Sequence, residues 1–183
     1  MTTLPTILLL LLLAATGLLL AYAATRPDHF RIQRTKVIKA PAARIFALID
    51  NLESFNHWSP YQRKDPGMKG QYSGPASGVG AAYAWEGHKV GTGRMEIIAS
   101  ETPRRVALKL DFDKPFRAHN QAEFTLQAEG DSVTIVTWAM FGPAPFLSRL
   151  MGLVFGMDRL VGKDFEAGLA NLRALTEGRS RDA

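Results

Sequence analysis

Cysteine is absent from the 183-residue chain. That excludes disulfides, thiolate catalysis and zinc held by thiolates, and it leaves the redox compartment open. The four histidines are isolated, with no His-x-x-x-His or carboxylate cluster beside them, so no metal site is expected. Asp, His and Ser are all present, but the spacing of a nucleophile elbow is not. The glycine pairs Gly78/Gly80 and Gly91/Gly93 lack the third glycine and the helix that a dinucleotide site needs, and no cofactor is expected. Dense basic runs are missing too. The net charge of +5 is spread along the domain, which argues against nucleic acid as a partner. The sharpest absence lies at the N-terminus. Charged residues make up 21% of the chain, and none falls between Thr2 and Thr25.

That uncharged stretch is dominated by leucine from Ile7 to Ala24. As a helix rising about 1.5 Å per residue it spans roughly 27 Å, close to the hydrocarbon thickness of a bilayer. Residues 1–25 are therefore read as a single-pass membrane anchor, with residues 5–25 in the lipid. Ala21-Tyr22-Ala23 has the look of a signal-peptidase site, but Met1-Thr2-Thr3 carries no Lys or Arg and the run is long for a signal peptide. Arg26, Arg31, Arg34, Lys36 and Lys39 follow the run, which by the positive-inside rule favours a cytoplasmic domain, a weak rule for a large C-terminal domain.

Residues 26–177 are expected to form one domain and residues 178–183 a polar tail. Phe30–Lys39 reads as a strand, Pro41–Ile49 as a short helix opened by proline, and Leu52–Tyr61 as a second helical or looped segment. Residues 62–80 suit a loop with a weak strand. A meander follows: Ala81–Glu86, a tight turn at Gly87-His88, then Lys89–Ser100. In the next strand Val106, Leu108, Leu110 and Phe112 alternate with Arg105, Ala107, Lys109 and Asp111, giving one dry and one wet face. Ala118–Ala128 and Ser132–Phe141 form a hairpin, and the second of these strands is apolar on both faces. It should lie inside the sheet under a cover. The cover is a helix from Pro145 to about Glu177, with Leu150, Val154, Met157, Val161, Phe165, Leu172 and Leu175 on one stripe. Gly168 projects onto that stripe, leaving either ligand space or close packing. Asp158 falls at its edge, where a carboxylate must pair, reach water or stay protonated.

Four segments carry a family likeness. They are Ile38-Lys39-Ala40-Pro41-Ala42-Ala43-Arg44-Ile45-Phe46, Asn56-His57-Trp58-Ser59-Pro60-Tyr61, Tyr83-Ala84-Trp85-Glu86-Gly87 and Val161-Gly162-Lys163-Asp164-Phe165-Glu166-Ala167-Gly168-Leu169-Ala170-Asn171-Leu172. In these the chain resembles the START-like (SRPBCC) helix-grip superfamily, in its polyketide cyclase/dehydrase-like branch. The resemblance implies an α+β helix-grip fold: a seven-stranded antiparallel sheet curved around a long C-terminal helix, with a ligand cavity between them. Many members bind lipids, sterols or aromatic small molecules.

Trp58, Tyr61, Tyr83, Trp85, Phe124 and Trp138 fall in segments that should border such a cavity. With Met157, Asp158, Val161 and Phe165 from the helix they form the candidate ligand-binding set. For each aromatic residue taken singly, core filling is the simpler role. Three functions follow: a membrane-anchored binding module for a hydrophobic small molecule or lipid, a cyclase or dehydrase acting on a polyketide-like substrate, and a protein-interaction module like the co-chaperone activators. No catalytic residue is assigned. The enzyme reading has only Asp158 to draw on, and the nature of any protein partner stays open.

Overall fold

The computed structural model describes residues 4–178. Helix α1 (Leu4–Thr25) is apolar on every side, and Ala23 is its one buried residue. The helix is long and apolar enough to cross a membrane, as a membrane span or a signal sequence would be. Thr16 and Thr25 donate their hydroxyls to the carbonyls of Leu12 and Tyr22, which leaves no bare donor on the helix surface at those positions. The far end of α1 meets the domain, where Arg26 lies over the Tyr22 ring at 5.6 Å.

After Arg26-Pro27-Asp28 the chain enters β1 (His29–Ile38), then α2 (Ala42–Asp50), α3 (Leu52–Trp58) and α4 (Tyr61–Lys64). Strands β2 (Lys69–Ser73), β3 (Ala82–Glu86), β4 (Thr92–Glu101), β5 (Arg105–Lys114), β6 (Ala118–Ala128) and β7 (Thr134–Pro143) follow. Helices α5 (Phe146–Phe155) and α6 (Met157–Thr176) close the fold. The seven strands form one antiparallel sheet in the order β1-β7-β6-β5-β4-β3-β2. This is the helix-grip architecture expected from the sequence. Strand β7 sits between β1 and β6, as its two apolar faces require.

The strands meet only antiparallel neighbours, so the turns gather at two ends of the sheet. The end next to α1 holds the start of β1, the 87–91 loop and the 115–117 loop. The far end holds residues 39–41, 102–104 and 129–133. The core lies between the inner sheet face and helices α2, α3 and α6. Ile45, Phe46 and Ile49 point inward from α2; Phe55 and Trp58 do so from α3, and Phe165, Leu169 and Leu172 from α6. Polar pegs fix the helices. Asn51 accepts the Ser54 N–H at 2.8 Å and so caps α3. The Trp58 indole donates to the Leu48 carbonyl at 3.0 Å, and Asn171 donates to the Trp58 carbonyl at 2.9 Å.

The expected unbroken helix from Pro145 to Glu177 is in fact two. Gly156 adopts φ +62° and ψ 56°, the left-handed conformation that terminates a helix, and its N–H bonds the Gly152 carbonyl at 3.0 Å. Within α6 Phe165 and Leu172 are buried, whereas Met157 and Leu175, at its two ends, are exposed. The side chains of Met151 and Val154 lie outside the described residues, as does the tail beyond Gly178. The tight turn expected at Gly87-His88 is a longer loop, closed by the Gly87 N–H to the Gly91 carbonyl and held by Asp65.

Candidate functional site

The inner face of the sheet is fully buried at one end and partly covered at the other. On β5 the inward positions run Val106 and Leu108, both buried, then Leu110 and Phe112, both half-covered. Strand β6 repeats the trend in the opposite chain direction. Leu126, Phe124 and Ala122 are buried, while Asn120 and Ala118 are half-covered. The register pairs Leu110 with Asn120 and Phe112 with Ala118, so the covered and half-covered residues form continuous rows. The half-covered rows lie at the α1 end. Trp85 joins them from β3, its ring 5.7 Å from that of Phe112, and Val161 and Met68 lie half-buried against the same core. We call this half-covered apolar region the mouth.

Behind the mouth the interior is filled by aromatic rings. Trp138 stacks on Phe165 with centroids 4.1 Å apart and planes 11° off parallel. Phe124 lies 4.9 Å from Trp138, and Trp58 and Phe55 meet both rings edge-on at 5.7–6.0 Å. Edge-to-face and offset pairs at these distances are the favoured geometry of packed aromatics. Of the candidate residues, Trp58, Phe124, Trp138 and Phe165 are thus brought together as packed core. A Cβ on Gly168 would come within 2.6 Å of Trp138 Cζ3 and 3.2 Å of Pro60 Cδ, so this glycine permits close helix–sheet contact.

Tyr61, Tyr83, Trp85 and Val161 border the core nearer the mouth. Tyr83 also lines a surface cleft of about 430 Å³ with Tyr72, Asn56, His57, Glu53 and Met68. There the Tyr72 and Tyr83 rings are 4.7 Å apart, and the Asn56 amide donates to the Tyr72 hydroxyl at 2.8 Å. Burial and the Asp164 carboxylate push the Tyr61 phenol above its ordinary range; burial and Tyr72 do the same for Tyr83. Both phenols therefore stay neutral at physiological pH and serve as hydrogen-bonding groups.

Met157 and Asp158 stand apart from the other candidates. Met157 is 44% exposed. Asp158 is exposed and pairs with the Arg34 guanidinium at 3.1 Å. That guanidinium also meets Glu166 at 2.7 Å and lies where a side chain on Gly162 would sit. Arg34 thereby clamps α6 onto β1. Its hydrogen bond and charge hold the Asp158 carboxyl below its ordinary range. A carboxyl with a lowered pKa contributes stability above the unfolded value of about 3.9, and loses it as pH falls through the folded value. Asp158→Asn should cost less than about 1 kcal/mol at neutral pH, the scale of solvent-screened ion pairs, and flatten the acid limb of a pH–stability profile. A loss several times larger in denaturant titrations would show that this pair carries much more than a surface clamp.

Reading the sequence alone missed Asn120. Its amide lies against Gly142 and makes no hydrogen bond to the described residues. The signal was available: Asn120 shares a face with Ala118, Ala122, Phe124 and Leu126 and is the one strongly polar member of that row. Leu110 and Phe112 were visible as a dry face, but alternation cannot tell which part of a dry face is left uncovered. Among the described residues no group of three His, Asp or Glu side chains is arranged to hold a metal ion.

Comparison with known proteins adds the family context. A family model described as polyketide cyclase / dehydrase and lipid transport matches residues 29–177. No curated protein sequence matches the chain. The crystal structure of protein Ms6760 from Mycobacterium smegmatis is 19% identical, with a TM-score of 0.56 over 82% of this chain and 92% of that one. The solution structure of a Thermobifida fusca protein is 18% identical, with a TM-score of 0.59 over 81% of this chain and 93% of that one. The di-domain ARO/CYC StfQ from the steffimycin biosynthetic pathway is 7% identical, with a TM-score of 0.60 over 82% of this chain and 51% of that one. At such identities the likeness speaks to the fold.

Proposed function

The chain belongs to the polyketide cyclase/dehydrase and lipid-transport family, and from that premise we propose that it is a membrane-anchored binding module for a lipid or other hydrophobic small molecule. One observation carries the reading: the inner face of the grip is left half-covered at the end where α1 joins the domain. The mouth offers apolar side chains, Trp85, Leu110 and Phe112, with one amide, Asn120, that bonds none of the described residues. Such a mixture suits an amphipathic ligand, whose chain gains from leaving water and whose polar group needs a single partner. The placement suits a ligand drawn from the bilayer, since α1 holds the mouth near the lipid.

The cyclase or dehydrase reading has support in the family description and in the likeness to StfQ. It requires a proton-transferring group at the site. The carboxyls shifted from their ordinary range, Asp28, Asp65, Asp111 and Asp158, are all shifted down. They stay ionised and make poor general acids at neutral pH. The phenols of Tyr61 and Tyr83 stay neutral and can donate a hydrogen bond, but a raised pKa makes them poor proton donors as well.

The test is native mass spectrometry of the full chain released from mild detergent. A co-purified lipid or hydrophobic small molecule is expected, and the protein should stay with carbonate-washed membranes. The double variant Leu110→Asp/Phe112→Asp should lose the ligand while keeping its far-ultraviolet dichroism, because both positions are already half-wet. Equal ligand occupancy in the variant would move the site elsewhere, and a protein that never carries a ligand would defeat the binding reading. A mature N-terminus at Ala24 would defeat the anchor.

A further inference from the structure

The sheet end beside α1 carries an assembly of loops that the mouth does not use. Between α1 and β1 lie only Arg26, Pro27 and Asp28, which reach about 10 Å when extended. The start of β1 is therefore held close to whatever surface α1 enters. Antiparallel pairing places the start of β2, the 87–91 loop and the 115–117 loop at this same end.

These loops form a pocket of about 650 Å³ lined by Lys69, Lys89, Lys114 and His88, with Glu86 as the one acid among its lining residues. The pocket is built rather than incidental. The buried Asp65 carboxylate accepts the Lys89 N–H at 2.7 Å and the Val90 N–H at 3.5 Å, which fixes the 87–91 loop. Gly91, at φ +71°, lies against the Lys114 carbonyl, where a side chain would not fit. Beside the pocket Phe116 is 68% exposed, and Arg117 follows it. Lys69, Lys89, Lys114 and Arg117 are exposed and make no ion pair with the described residues. Two acids, Glu86 and Asp113, share these segments with them.

At the far end acids are tied to cations: Arg105 to Glu101 and Glu123, and Arg173 to Glu177. Unpaired cations and an exposed aromatic ring thus occur together at the end tethered to the membrane segment. Lysine near an anionic leaflet strengthens apposition by about fivefold per residue, and an exposed aromatic ring favours the headgroup level.

We propose that this end of the sheet docks on an anionic lipid leaflet, with Lys69, Lys89 and Lys114 seating lipid phosphates and Phe116 reaching into the headgroup layer. The proposal rests on the reading of α1 as a retained anchor. Docking holds the mouth against the bilayer, a result that a tether by itself does not secure.

The absence of cysteine supplies the test. Phe116→Cys and Asp131→Cys each place a single fluorophore, one at the proposed contact and one at the far end. The full chain is reconstituted in nanodiscs of phosphatidylcholine, alone or mixed with phosphatidylglycerol, each carrying a headgroup spin-labelled quencher. The label at 116 should be quenched several-fold more than that at 131, and more strongly with phosphatidylglycerol. Lys69→Glu/Lys89→Glu/Lys114→Glu should abolish the phosphatidylglycerol dependence. Equal quenching at 116 and 131, or a charge-reversed variant that behaves like its parent, overturns the docking. Intact mass of the same sample separates the two failures: a chain lacking α1 overturns anchor and docking together, whereas an intact chain with equal quenching overturns docking alone. Labelling at Arg117→Cys repeats the measurement if Phe116→Cys folds poorly.

Discussion

Gly168→Leu should unfold the domain or bring it close to unfolding. Two effects oppose each other at this position. Removing glycine from a helix interior is worth about 1 kcal/mol in favour of the variant. Against it, the first added carbon would stand 2.6 Å from Trp138 Cζ3 and 3.2 Å from Pro60 Cδ. Trp138 has little room to yield, since Phe165 stacks on it at 4.1 Å and Phe124 lies 4.9 Å away. Overpacking a filled core costs about 1–3 kcal/mol for modest additions, so Gly168→Ala should lose little or up to about 2 kcal/mol net. Leucine places three further carbons in the same space. Its loss should exceed about 3 kcal/mol, a large share of the 5–15 kcal/mol that holds a typical domain together. Urea titration of the full chain in mild detergent, followed by tryptophan fluorescence, measures it. An unchanged midpoint for the leucine variant would show open space under α6 at Gly168, of the kind a ligand could occupy.

The helix-grip fold was legible because its elements announce themselves independently. Alternation from Arg105 to Phe112 marks a half-buried strand. Two-sided apolarity from Val133 to Met140 marks a central one, and Pro41 opens a helix. The break at Gly156 was not legible, for a glycine within a helical pattern is compatible with continuation at a cost of about 1 kcal/mol. Only the chain's need to turn α6 onto β1 decides against it. The candidate site was legible in part. Aromatic residues from separate segments were expected to share one region, but ring count carries no information on which rings are packed and which are left half-covered. Trp138 and Trp85 look alike in sequence, each on a strand with apolar neighbours. They differ in depth along the sheet, and depth depends on where α6 begins to cover it. Asp158 lies seven residues before Phe165 and so on the same side of α6, as projected, but in the first turn of the helix, where that side meets Arg34 and water instead of the core.

That difference in depth gives the second large effect. Trp138→Ala should cost about 3–5 kcal/mol, the range for deleting a large aromatic side chain from a core. The ring is 3% exposed and touches Phe55, Trp58, Phe124 and Phe165, so its removal leaves a void walled by rings that cannot all collapse inward. Trp85→Ala should cost much less, about 1–2 kcal/mol, since its half-covered ring already forgoes part of the transfer energy that burial provides. For ligand retention the order should reverse. Trp85 stands in the mouth beside Phe112, and its loss should strip the co-purified molecule from a folded protein. Trp138→Ala, to the extent that it folds, should keep the ligand, and its dry void could admit a small apolar probe such as benzene. Pairing denaturant midpoints with native mass spectra for the two variants separates structure from site. A folded Trp138→Ala protein that has lost its ligand, set beside a Trp85→Ala protein that keeps it, would place the ligand among the deep rings. The half-covered rows at the α1 end would then be a consequence of where α6 starts, and the route from the bilayer would have to pass through a core that opens only transiently.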